Sequence, residues 1–271
     1  MITALPRIAI AMHDFEGALD AFHRVLGMPV VDHSHHTVPA LGAHVAMCAP
    51  AIGSNIELMS PSDPGAPLSQ ALQAFLDRRG DGLYALMLEA PVPDEEAVGL
   101  AQRGLDVMPL MPGAHGRDVH PRSTHGVLIR VYPNDSAPPP PGLVSEAPNL
   151  TGIARAIVGV TDASLAATAY GHGFGLPVSP VVNDPERGVD AVIVTPPKGG
   201  VIELVSVADT TRPFARDVQT FLKERNHGLF ALVLEADNPA AAAAILRERG
   251  LAEGATETPT FELYGATFIV Q

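Results

Sequence analysis

The sequence predicts an α+β protein built from four βαβββ units in two similar halves, and three observations carry that expectation. The stretch FLDRRGDGLYALMLEA at residues 75–90 returns as FLKERNHGLFALVLEA at residues 221–236. NIELMSP around Glu57 answers VIELVSV around Glu203, and LGMPVV answers FGLPVS. Such a repeat, with a period near half the chain, is an internal duplication. Between the copies, YPNDSAPPPPGLVSEAPNL at residues 132–150 has the composition of a stiff linker, because proline fixes φ and cannot continue a helix or a central strand. The expected division is a first domain over 1–134, a Pro-rich linker over 135–150 and a second domain over 151–271.

The elements follow in order. RIAIAM alternates as a strand, and Asp14 is placed to cap FEGALDAFHRVLG. Phe15, Ala18, Leu19, Phe22, Val25 and Leu26 fall on one face of that helix, and Gly27 suits its C-terminal stop. MPVVDHSHHTV, AHVAMCAP and NIELMSP then read as extended segments, followed by an extra helix at PLSQALQAFLDRR. The pattern restarts with the strand GLYALMLEA, a helix at DEEAVGLAQRG and strands ending in GVLIRVYP. The second half repeats this order, with GHGFG at residues 171–175 read as a helix terminus and not a dinucleotide fingerprint.

Composition narrows the partners. The 271 residues are 46% hydrophobic and carry a formal charge of −13, with Lys198 and Lys223 the only lysines. No basic surface broad enough for a nucleic-acid backbone is apparent, and a small-molecule partner is expected. Cys48 stands alone, which excludes an intrachain disulfide. The opening MITALPRIAIAMHDF lacks the pattern of a secretory signal, and no apolar run approaches the roughly 18 residues of a membrane span, so a cytoplasmic location is expected.

On RIAIAMHDFEGALDAFHRVLGMPVV, the NIELMSP to LEA stretch and HPRSTHGVLIRV, the chain resembles a tandem member of the vicinal oxygen chelate superfamily, the glyoxalase, bleomycin-resistance and dioxygenase fold. Its first half is most similar to methylmalonyl-CoA epimerase. The resemblance implies two domains, each an eight-stranded cup-shaped sheet with flanking helices. It also implies a divalent metal held by four side chains from the cup wall. The matching positions here are Arg7, Glu57, Ala85 and Arg130 in the first half. In the second they are Arg155, Glu203, Ala231 and either Gln271 or Val270. A guanidinium has no acceptor and alanine no lone pair, so a metal of the family kind is not expected in either half, and no cofactor is expected. The position matching the epimerase's proton-transferring Glu is Val45, beside His44, and Ala191 in the second half.

Three functions compete on these residues. One is a metal-independent isomerase or lyase acting on a small carboxylate or acyl thioester, with Arg7 and Arg130 as electrostatic clamps, Glu57 as acid or base and His44 at hand. In it, Tyr84, His120, Arg122 and His125 border the mouth of the first cup, with Arg155 and Glu203 in the second. The next is a non-catalytic binding protein of the bleomycin-resistance kind. The last is a remnant in which Arg7 pairs with Glu57, and Arg155 with Glu203, merely to fill retired metal sites. His33, His35 and His44 either converge as an atypical site or form a polar strand edge. The oligomeric state expected is monomer or homodimer.

Overall fold

A computed structural model of the protein describes residues 1–34, 41–50, 52–136, 150–251 and 258–271. Most of the Pro-rich linker and His35 lie outside them. In the first half β1 (Ala4–Ala11) leads through α1 (Phe15–Arg24) to β2 (Val30–Asp32), β3 (Ala43–Cys48), β4 (Ile52–Gly53) and β5 (Asn55–Pro61). Then come α2 (Pro67–Arg79), β6 (Gly82–Ala90), α3 (Pro93–Gln102), β7 (Arg117–Val119) and β8 (Leu128–Pro133). The second half opens with β9 (Leu150–Gly159), α4 (Ala163–Thr168), β10 (Val182–Asp184), β11 (Val189–Val194) and β12 (Val201–Val207). It closes with α5 (Pro213–Arg225), β13 (Gly228–Ala236), α6 (Pro239–Glu248), β14 (Thr260–Leu263) and β15 (Ala266–Val270). The expected caps form: Asp14 accepts from the Gly17 N–H at 3.0 Å and Asp162 from the Leu165 N–H at 2.9 Å.

The two sheets have matching orders, β2-β3-β5-β1-β6-β8-β7 and β10-β11-β12-β9-β13-β15-β14. Each is mixed, because β1 pairs parallel with β5 and antiparallel with β6, as β9 does with β12 and β13. The second unit of the first half is sparser than expected. Between α3 and β7 its third strand is reduced to a single Val107–Val119 bridge, leaving seven strands in that sheet.

Alternation along each strand divides the side chains between two faces. Ile8, Ile10, Leu86 and Ile129 of the first sheet and Val158, Leu232, Phe268 and Val270 of the second belong to one continuous core. The apolar residues of α1, α3, α4 and α6 complete it. The opposite faces, the predicted cups, are separate. Leu68, Leu72 and Leu76 of α2 pack over the first, and Ala215 and Val218 of α5 over the second.

Contacts between the halves are equally built in. Phe22 lies edge-on to Phe268 at 6.0 Å, and Arg249, just after α6, donates to the carbonyls of Arg24 and Val25 at the end of α1, at 2.8 and 2.9 Å. Ser54 donates to the Leu5 carbonyl at 2.6 Å and accepts from the Gly200 N–H at 2.9 Å. Gly126 and Gly265, equivalent residues before β8 and within the β14–β15 turn, both have positive φ (81° and 64°). A Cβ on either would strike the carbonyl oxygen of His227 or Asp81 across the seam, so only glycine permits this approach. Among the described residues no helix is long and apolar enough to cross a membrane.

Phe22 is fully buried where the halves meet. Phe22→Ala is expected to cost about 3–5 kcal/mol. Urea denaturation should show a lower midpoint while unfolding stays a single transition, because both halves share one core.

Candidate functional site

Strand register brings the first set of candidate residues to one cup wall. Arg7 lies opposite Met87, which lies opposite Arg130, and Ala9 stands between Ala85 and Glu57. Arg7 Nε is 3.6 Å from Glu57 Oε2, its Nη2 donates to Ser136 Oγ at 3.0 Å, and its guanidinium lies 4.5 Å from the Tyr132 ring centre. Arg130 does not join Glu57. Its Nε is 2.9 Å from Asp118 Oδ1 and its Nη2 donates to Oδ2 at 3.1 Å. Glu89 adds a third carboxylate, accepting from the Ser136 N–H at 2.9 Å and hydroxyl at 2.8 Å.

The expected gathering of Arg7 and Arg130 about Glu57 is therefore corrected for this cup: Arg7 approaches Glu57, Arg130 holds Asp118, and Ser136 links Arg7 to Glu89. Arg7, Glu57 and Arg130 are only 6%, 4% and 4% exposed. A cavity of about 390 Å³ opens at the cup mouth beside Tyr84, Asp118, His120 and Arg130, but Arg7 and Glu57 do not line it. The centre of the first cup is filled by its own ion pairs.

The second cup, for which Arg155 was the only cation expected, holds a second guanidinium that the sequence reading missed. Arg187, in the turn between β10 and β11, donates through Nη2 to Glu203 Oε1 at 2.5 Å and through Nη1 to Oε2 at 3.3 Å. Arg155 Nε stands 3.6 Å from Glu203 Oε2, and its Nη2 donates to the Gln271 side chain. Glu203 thus sits between two guanidinia. Its side chain is 1% exposed, whereas those of Arg155 and Arg187 are 27% and 29% exposed and line a cavity of about 310 Å³. Asp184 also holds Arg187, at 2.7 Å. Burial opposes the charge on Arg187, but the bonds and charges of Glu203 and Asp184 outweigh it and raise the pKa. The visible signal for Arg187 was the turn NDPERGVD, in which Gly188 takes a positive φ of 72°.

Register also corrects the fourth metal position of the second half. Met87 faces Arg130 in the first half, and its equivalent Val233 faces Ile269. Neither Gln271 nor Val270 stands there. The four positions in the second cup are thus Arg155, Glu203, Ala231 and Ile269, and in the first Arg7, Glu57, Ala85 and Arg130. Each set offers one carboxylate, already paired to a guanidinium. These donor sets do not fit a divalent cation, which takes several oxygen or nitrogen acceptors.

Other candidates fall elsewhere. Val45 and Ala191 face their cups, so His44 points away from its own and stacks on Phe15 at 5.3 Å. His33 donates its backbone N–H to the Val45 carbonyl and is in register with Val45, on the other side of the strand pair from His44. No group of three or more metal-ligating side chains occurs among the described residues. Arg122 is exposed and paired with Asp106, and Arg117 is paired with Asp94 at 2.7 Å. His125 leaves the cup mouth for the seam, where its ring meets that of His227 at 5.7 Å.

Two predictions follow from these pairs. Arg7→Met leaves Glu57 as a buried, uncompensated charge and is expected to cost about 3–5 kcal/mol, while Arg7→Met with Glu57→Met recovers most of the loss in urea titrations. At the seam, burial and then the charge of His227 hold His125 below the ordinary histidine pKa, against a weaker opposite pull from Asp162. Burial lowers His227 likewise. The unfolded chain therefore takes up protons first as pH falls. Stability from this pair is complete above about pH 6.5 and is lost as pH falls through the depressed folded values. The denaturation midpoint should drop between pH 7.5 and 5.5, and drop less in His227→Gln.

Comparison with known proteins agrees with this architecture. Residues 7–120 match the family model described as Glyoxalase/Bleomycin resistance protein/Dioxygenase superfamily. A triple mutant of 4-hydroxymandelate synthase from Streptomyces coelicolor aligns over 99% of this chain and 92% of its own, at 13% identity and a TM-score of 0.69. Methylmalonyl-CoA epimerase from Mycobacterium tuberculosis aligns over 49% of this chain and 89% of its own, at 28% identity and a TM-score of 0.40. A methylmalonyl-CoA epimerase in complex with methylmalonyl-CoA and NH4+ aligns over 52% and 100%, at 20% identity and a TM-score of 0.43. No curated protein matches the sequence. Residues 7–120 thus match a glyoxalase/bleomycin resistance protein/dioxygenase superfamily domain model, and the two-domain fold of the whole chain is similar to that of 4-hydroxymandelate synthase.

Proposed function

We propose that the protein is a metal-independent, glyoxalase-fold isomerase or lyase that takes a small anionic metabolite, a carboxylate or an acyl thioester, into its second cup. The observation that carries this reading is the pair Arg155 and Arg187, both of which line an open cavity and hold the buried Glu203 between them, just behind the cavity wall. The proposal moves the reactive site from the first cup, whose equivalent pair is sealed, to the second.

Arg155 presents a guanidinium that lines the cavity and is 27% exposed, while its Nε, itself buried, makes no hydrogen bond because the 3.6 Å approach to Glu203 is too long for one. A ligand carboxylate or thioester oxygen seated there gains a charge-assisted bond from a planar guanidinium. Glu203 then removes a proton from the carbon beside that carbonyl. The C–H electrons pass into the enolate, whose negative oxygen the two guanidinia stabilise, and the proton on Glu203 returns to complete an isomerisation. Ile157, Val233 and Phe214 provide apolar wall around this point. The reading places the protein in the cytoplasm, as a monomer or homodimer.

A second reading, sequestration without turnover, is favoured by one observation: both oxygens of Glu203 already face guanidinia. Titration calorimetry with small dicarboxylates and acyl thioesters, paired with NMR detection of solvent deuterium entering the ligand, separates the two. Turnover requires deuterium incorporation that Glu203→Gln abolishes while binding persists, and sequestration gives binding with no incorporation. Arg155→Ala is expected to weaken binding about tenfold or more, since a hydrogen bond to a charged group contributes about 1.5–3 kcal/mol. Unchanged affinity in Arg155→Ala, with the thermal midpoint preserved, rules out the second cup as the site.

A further inference from the structure

The seam between the halves holds an unbalanced cluster of guanidinia in a chain whose net charge is −13. Arg79 ends α2 and Arg225 ends α5, and they occupy the same position in the duplicated stretch. The fold brings the two copies together, so that Arg225 Nη2 donates to the Arg79 carbonyl at 3.3 Å. Arg78 adjoins them. Among the described residues none of the three pairs with a carboxylate, unlike Arg103, Arg117, Arg122, Arg130 and Arg187.

These three line the cavity of about 390 Å³ together with Arg130. Among the described residues that line the cavity, Asp118 is the only acidic one, and Arg130 already holds it. Four guanidinia therefore face one carboxylate. The C-termini of α2 and α5 offset part of the excess, about half a charge each. About two positive charges remain unanswered. The Arg79 pKa is lowered by burial, then by the charges of Arg225 and Arg78, as expected of a cation crowded by others. The remaining wall is apolar and aromatic, with Phe75, Tyr84 and Phe221 beside Met108 and Met111.

We infer that this seam cavity binds a phosphate-bearing organic anion, its phosphoryl group among Arg78, Arg79 and Arg225 and its apolar body against Phe75, Tyr84 and Phe221. A phosphate monoester matches the site because it brings nearly two negative charges and three acceptor oxygens to one point, and several guanidinia can share them. A lone carboxylate leaves about one charge unanswered. The site uses both halves, so neither half alone carries it. It is independent of the second cup, and its test does not involve Arg155, Arg187 or Glu203.

The test is calorimetry on the full chain with phenyl phosphate, inorganic phosphate and benzoate at low and moderate salt. Phenyl phosphate is expected to bind, inorganic phosphate about tenfold more weakly for want of the aromatic wall, and benzoate more weakly than phenyl phosphate. Arg79→Gln and Arg225→Gln should each weaken phenyl phosphate about tenfold or more. Should either variant fold poorly by circular dichroism, Arg78→Gln, at an exposed position, serves instead with the same expectation. The affinity should also fall as salt rises, with a shallower fall in each variant. Absence of phenyl phosphate binding at millimolar concentration, or an affinity unchanged in these variants, overturns the assignment.

Discussion

Burial of the two sheets against one another's helices is the constraint that the rest of the molecule obeys. α1, α3, α4 and α6 all contribute to a single core between the sheets, so each sheet can spend only one face on it. The other face must accommodate whatever the strand alternation places there, covered by α2 or α5. Because the side-chain period of a strand is two, Arg7, Glu57, Arg130, Arg155 and Glu203 cannot slip to the other side without sending core residues to water. The charged cups are thus a direct consequence of the apolar core.

Placing arginine inside a cup is tolerable only when its charge is answered, and the two cups answer it differently. In the first, Glu57 meets Arg7 and Asp118 meets Arg130, Ser136 links Arg7 to Glu89, and Tyr132 closes over the Arg7 guanidinium. Buried pairs of this kind contribute little net stability, yet losing one partner is costly, so the arrangement persists once formed. In the second cup Ile269 replaces the equivalent of Arg130, and the second cation comes from the β10–β11 turn as Arg187. A turn at the rim supplies a partly exposed guanidinium where a strand at the wall supplies a buried one. Duplicated strands thereby support one sealed cup and one whose guanidinia are partly exposed.

The seam follows the same logic. Duplication brings equivalent residues together: Arg79 with Arg225, and Gly126 and Gly265 each against the carbonyl of the residue just before a strand of the other copy. Where those residues are arginines, the charge that the cups neutralise so fully is left unmatched, and the histidines beside them are held neutral-leaning by burial.

The sequence by itself determined the repeating order of elements, the capping aspartates, the inward alternation that puts Arg7 with Glu57 and Arg155 with Glu203, and the misfit of those residues to a divalent metal. These are local properties, set by period, capping chemistry and donor type. Tertiary structure alone decided the rest. Arg130 chose Asp118 over Glu57, a choice between two carboxylates that lie 12 and 73 residues away along the chain. Strand pairing chose Ile269 over Gln271 and Val270, since a short run such as TFIVQ reads equally well in neighbouring registers until a partner strand is present. The Arg78, Arg79 and Arg225 cluster exists only once two helix ends from distant copies meet, because distance in space between repeats is not written in either repeat.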